Sequence, residues 1–221
     1  MGYKPVSVRQ TEDLRKMANE KRIGHDPFQD AIRDGRIGRF LDTLKSSQEV
    51  IEINSGEILA PEDARLHMLR VRWTQDREWQ EAVTAAGPNT PSHYDVRKVG
   101  DLYVPTGTGE IEEDFVLLNY ADGSGNWDKA LAWGEKNKLE KTVPRQVFAV
   151  GEKNPTLHTI LGYNPMWLVA TTPCAFGGDR RACHVWWRGA ERGAYLYWAG
   201  GFHGRRDWFL FRKPVVKTKA L

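Results

Sequence analysis

Apolar and polar residues change their period along this chain, and the changes suggest how it is divided. Phe28, Ile32, Phe40, Leu41 and Leu44 recur near helical spacing. Asp26-Pro27 before them supplies a capping carboxylate and a proline at the first helical position. Residues 49–53 alternate and predict a short strand. Pro61 opens a longer predicted helix, with Leu66, Leu69, Trp73 and Val83 on its apolar face and Gly87-Pro88 closing it. Residues 87–109 are rich in Gly and Pro and read as loop, with one short strand at 102–104.

Beyond residue 110 the period shortens. FVLLNY at 115–120 is a predicted buried strand. Residues 126–141 form the clearest predicted helix, with Trp127, Ala130, Leu131 and Gly134 on one face and Pro144 terminating it. Strands are then expected at 147–150, 167–171, 183–187, 194–198 and 208–212, parted by Gly177-Gly178-Asp179, Gly189 and Gly200-Gly201. A helix followed by a β-meander predicts an α+β fold. The predicted division is a mainly helical N-terminal extension at 1–110 and a second domain at 111–221.

Composition narrows the class. With 221 residues, 40% of them hydrophobic, the chain can bury a core without metal or disulfide support. Nine Trp are too much rigid aromatic surface for a disordered chain. No apolar run approaches the ~18–20 residues of a membrane span. The first residues carry no apolar stretch, so no secretory signal is predicted. Synthesis in the cytoplasm is expected, with surface display by an unrecognised route left open.

Charge is uneven. Residues 1–110 carry 16 basic and 18 acidic residues, whereas from Lys153 onward there are 11 basic and three acidic. A basic, aromatic C-terminal third suits nucleic acid, acidic glycans or an acidic protein face, or is a solvated surface with Arg stacked on Trp. Cys174 and Cys183 fit reduced thiols, one local disulfide, or a metal site with His184, although CAFGGDRRACH matches no standard zinc spacing. The six His do not pair at ligand spacing, and no phosphate-loop, dinucleotide, zinc-protease or nucleophile-elbow motif occurs.

Several segments carry a resemblance when taken in order. Residues 126–149 place Trp127, Ala130, Leu131 and Trp133 on a helix, with Pro144 and Val147 at the turn beyond. WLVATT at 167–172, His184-Val185-Trp186-Trp187 and Phe209-Leu210-Phe211-Arg212 follow as aromatic strands. Over residues 111–213 this order resembles the C-type-lectin-type fold, in the broader class shared with formylglycine-generating enzymes. The end of the chain, 195–213, is similar to the variable proteins of diversity-generating retroelements, which display hypervariable residues near the C-terminus.

That resemblance implies codons randomised at adenine, which cannot encode Trp, Met, Lys, Gln or Glu. AGGFHGRRD at 199–207 contains none of the five, although they make up 47 of the 221 residues. It also implies a display protein without catalytic activity, whose variable surface binds a protein or cell-surface ligand. The implied binding residues are Tyr195, Tyr197, Gly200, Gly201, Phe202, His203, Gly204, Arg205, Arg206 and Asp207. Such a site needs exposed positions, where substitutions cost within about ±0.5 kcal/mol, on a frame where large-to-small changes cost about 2–5 kcal/mol. Trp186, Trp187, Trp198, Trp208 and Phe211 are the implied frame. Strand parity puts Tyr195 and Tyr197 on the display face and Leu196 and Trp198 in the core, with Trp198 and Trp208 more buried than Phe202 and His203.

The calcium-dependent sugar motifs EPN, QPD and WND are absent, so a calcium-independent protein with no metal or cofactor is expected. The alternatives are a formylglycine-generating-type enzyme using Cys174 and Cys183, and a nucleic-acid-binding domain. Nucleic acid is not the partner the leading reading expects.

Overall fold

A computed structural model describes residues 58–214. The helix expected after Asp26 and the strand expected at 49–53 lie outside these residues. The chain divides between Glu57 and Ile58, and every described residue belongs to the second unit. The boundary expected at 110 is therefore corrected. Residues before it supply a full strand and helix to the same unit as residues after it.

The strand is β1, Ala64–Thr74, where a helix was expected. Leu66, Leu69 and Trp73 fit helical spacing, but Leu69, Val71 and Trp73 also fit a period of two, and long-range pairing decides. All 11 residues pair antiparallel with β2, Glu110–Tyr120. Charge supports the register: Arg70 faces Asp114 and Arg72 faces Glu112, with a 2.6 Å ion pair in the first case. Between the two acids, Glu113 turns inward and is buried, accepting from Trp73 Nε1 and Gln146 Nε2 (2.8 Å each) and from Arg212 Nη1 at 2.6 Å.

Helix α1, Trp79–Ala86, starts where Glu78 accepts the Glu81 N–H at 2.9 Å, and Gly87 ends it. Two 3₁₀ turns, Asp95–Lys98 and Gly100–Leu102, stand near the strand expected at 102–104. Helix α2, Trp127–Lys136, is capped by Asn126 and ends earlier than expected, at Asn137. The short strand β3, Glu140–Lys141, follows. Helix α3, Pro144–Lys153, occupies the place of the strand expected at 147–150, and Pro144 begins a helix rather than ending one. Its buried run Val147–Val150 lacks the polar positions that would have shown its period. Helix α4 is Leu157–Leu161.

Strands β4 (Met166–Ala170), β5 (Cys174–Phe176), β6 (Asp179–Arg188), β7 (Glu191–Trp198) and β8 (Asp207–Arg212) complete the sheet. Its order is β1-β2-β8-β4-β6-β5, with β7 also paired to β6 and β3 to β8. All pairs are antiparallel except β4 with β8. The expected meander is thus interrupted: β8 returns to the middle and joins β2 to β4. Over the described residues the fold is α+β, a mostly antiparallel open sheet with four helices.

Alternation divides the core between the two faces. On one face α1 and α3 pack with Val71, Trp73, Leu168, Val185, Trp187, Trp208 and Leu210. On the other, α2 packs Trp127, Ala130 and Trp133 with Val116, Leu118, Phe209 and Phe211. Among the described residues no helix is long and apolar enough to cross a membrane.

Candidate functional site

The second face is wider than α2. Past the helix, the parity of β4, β6 and β7 brings Trp167, His184, Trp186, Tyr195 and Tyr197 to that same side. The rings pack mainly edge to face. Trp186 meets Tyr195 at 5.7 Å between centroids, and Trp167 meets Tyr197 at 6.0 Å. Tyr94 closes on Tyr195 at 4.1 Å. Gly193 is required here, because a Cβ would overlap the Trp186 ring lying across it. His184 is buried, but Trp167, Trp186 and Tyr195 are half-buried and Tyr197 keeps 46% of its surface exposed. Aromatic bodies with polar tips at a water boundary suit contact with a partner.

The turn from β7 to β8 borders this patch. Ala199 and Phe202 are its buried anchors, and Phe202 packs on His184 at 5.3 Å, Tyr197 at 5.7 Å and Trp127 at 6.1 Å. Asn119 holds the far side, donating from Nδ2 to the carbonyls of Arg205 (2.8 Å) and Asp207 (2.9 Å) while accepting from Tyr163 at 2.9 Å. Asp207 accepts the Gly204 N–H at 2.7 Å. This frame leaves Gly200, His203, Arg205 and Arg206 exposed. The Arg206 guanidinium sits over Trp167, 3.9 Å from the ring centroid.

The sequence-based assignment of roles needs correcting at four positions. Phe202 was expected at the surface, yet it is fully buried because it plugs the end of the sheet under α2. Asp207 is also buried, since its carboxylate closes the turn inward. Trp198 was expected in the core but is 56% exposed, its ring resting on Gly200 where β7 leaves the sheet. The expected ranking of Trp198 above Phe202 in burial is reversed. Trp186 belongs to the open patch rather than to the frame. Gly201 and Gly204 are half-buried, Gly201 lying under the Tyr197 ring. Trp187, Trp208 and Phe211 are frame residues, each at most 2% exposed, and Leu196 is in the core. Tyr94 and Trp167 belong to the patch but were not among the expected binding residues. Trp167 at the start of an alternating strand was the available signal.

Burial sets the charge states. The His184 imidazole is neutral, its pKa driven down to about 3 by desolvation and then by nearby Arg206. Its Nδ1 has no hydrogen-bond partner. Asp207 is pushed up to about 6 by burial, against the opposing Gly204 N–H and the Arg206 and His203 charges.

Both cysteines are free. Cys183 is fully buried, and desolvation raises its thiol well above the ordinary range. Reactive cysteines need the opposite, a lowered pKa and access. Among the described residues no three His, Cys, Asp or Glu side chains gather to hold a metal ion. The chain matches no protein-family model, no curated protein and no solved structure.

Proposed function

We propose that this chain is a ligand-binding protein of C-type-lectin-type fold whose contact surface is the open aromatic patch of β4, β6 and β7 with the turn after β7. The observation that carries the reading is the patch itself: a rigid sheet face left uncovered beside α2, rich in Trp and Tyr and bordered by exposed Arg. Tyr and Trp give large contact area at small entropic cost, which is how paratopes are built. The fold assignment draws support from the order of aromatic strands and from β8 as the late strand joining two parts of the sheet. The protein acts by binding and not by catalysis, in keeping with the buried, protonated Cys183.

Diversification by a retroelement belongs to the same proposal, restricted to positions that tolerate change. His203, Arg205 and Arg206 are exposed, whereas Ala199, Phe202 and Asp207 are anchors and a side chain at Gly200 would meet the Trp198 ring. A non-coding repeat near the gene is expected to match this stretch except at adenines, with mismatches in the codons for His203, Arg205 and Arg206. Neighbouring genes with neither such a repeat nor a reverse transcriptase overturn diversification. Binding has its own check. Peptides selected from a random library on the immobilised chain should be released by Tyr197→Ala, and peptides indifferent to that change overturn the proposed surface.

A further inference from the structure

We infer that the ligand of the open patch is an acidic protein segment, anchored by a carboxylate on Arg206; this rests on the reading of the patch as the binding surface. The first observation is the state of Arg206. Its guanidinium carbon lies over the Trp167 ring, 3.9 Å from the centroid. Among the described residues no carboxylate comes within 4 Å of its N–H donors. A guanidinium held against a ring, with no described carboxylate on its donors, is pre-organised to take an oxyanion through two parallel hydrogen bonds.

The second observation is the charge around it. Among the described residues Arg205 donates to the Asp122 carbonyl alone, at 3.2 Å, with the exposed Asp122 outside the turn, and His203 is exposed. The only acid in the turn, Asp207, is buried and faces inward. The turn therefore presents cationic groups to solvent with no exposed acid among them, and its complement is an acidic surface.

The ring geometry chooses between carboxylate and phosphate. A single-stranded nucleic acid needs open ring faces on which bases can stack. Arg206 occupies a face of Trp167, and Tyr197 packs against Phe202 at 72° and Trp186 against Tyr195 at 64°. These edge-to-face pairs offer ring edges and hydroxyl tips rather than a stacking platform. That surface suits a polypeptide whose acidic side chain reaches Arg206 while its apolar neighbours rest on Tyr197.

The test is selection of a random peptide library on the immobilised full chain. The selected peptides should be enriched in Asp and Glu, should be competed by poly-L-glutamate, and should bind at least ~10-fold more weakly to Arg206→Gln. Arg206→Lys should not restore them, because lysine keeps the charge but lacks the fork. Unchanged urea midpoints for both variants would show that the fold is intact. Peptides without acidic enrichment that Arg206→Gln holds as well as wild type overturn the inference, and if Tyr197→Ala still releases them the patch survives as the binding surface. A selection yielding nothing that depends on Tyr197 overturns the surface as well. Displacement of the peptides by oligothymidylate or inorganic phosphate at lower concentration than poly-L-glutamate overturns the carboxylate assignment.

Discussion

The second face of the sheet has two halves, and both are aromatic. Under α2 the rings are Trp127, Trp133, Phe209 and Phe211, in contact at 6.2 Å for Trp127 with Phe209 and 5.8 Å for Trp133 with Phe211. Beyond α2 they are Trp167, His184, Trp186, Tyr195 and Tyr197, packed at similar distances and angles. What differs is the polar tip. Phe209 and Phe211 fill the covered β8 positions, where a buried hydroxyl would need a partner, and the buried tyrosine of this half, Tyr120, stands at the end of β2. Tyr stands at the open positions, where water or a ligand supplies one. Ring packing alone does not separate frame from surface on this sheet.

The largest expected effect lies in the covered half. Phe209→Ala should cost about 3–5 kcal/mol, read from urea unfolding, because α2 and the sheet cannot close on the space left. A loss below about 1 kcal/mol would mean that α2 does not seal this half. Gly134→Ala should cost roughly 1–3 kcal/mol, since its Cβ would overlap the Phe211 ring and overpack the same interface.

The open half differs from the covered half in carrying titratable groups, and pH sharpens the contrast. His184 contributes stability that is full above about 6.5 and is lost as pH falls toward about 3, because the unfolded chain takes up the proton first. Asp207 acts in the opposite sense: its raised pKa contributes stability present below 3.8 and lost as pH rises through about 6. On acidification from 6.5 to 3.8 the wild type should show the difference of the two. His184→Phe should leave the Asp207 gain alone, and Asp207→Asn should leave a steeper loss. Urea midpoints across this range check both, and a His184→Phe curve parallel to wild type would refute the account. The smallest effect is expected for Tyr197→Ala, below about 1 kcal/mol, with a loss of peptide binding far larger than the loss of stability.

Legibility in the sequence followed the range of the interactions. The strands at 167–171, 183–187, 194–198 and 208–212 were recoverable to within a few residues, because aromatic alternation and glycine turns are local signals. β1 was not, since eleven residues compatible with a helix become a strand only through β2, whose partners lie 36 to 56 positions away (Thr74 with Glu110, Ala64 with Tyr120). α3 was misread because a helix buried all round from Pro144 to Gly151 loses its periodicity. In the site, parity correctly placed Tyr195, Tyr197 and Leu196. It failed at Trp198, where β7 ends and a 3₁₀ turn begins, so alternation no longer governs direction. Phe202 and Asp207 could not be assigned by composition, because a flexible-looking Gly/Arg turn conceals two buried anchors.

The central place of β8 has a consequence for folding. Until Asp207–Arg212 docks, the chain can pair β1 with β2 and β4 with β6, but these two ribbons have no strand between them. Each exposes the edge that Asp207–Arg212 will later fill, and such unpaired edges are where partly folded chains stick to one another. A folding intermediate in which β8 has not yet docked is therefore the species most exposed to association.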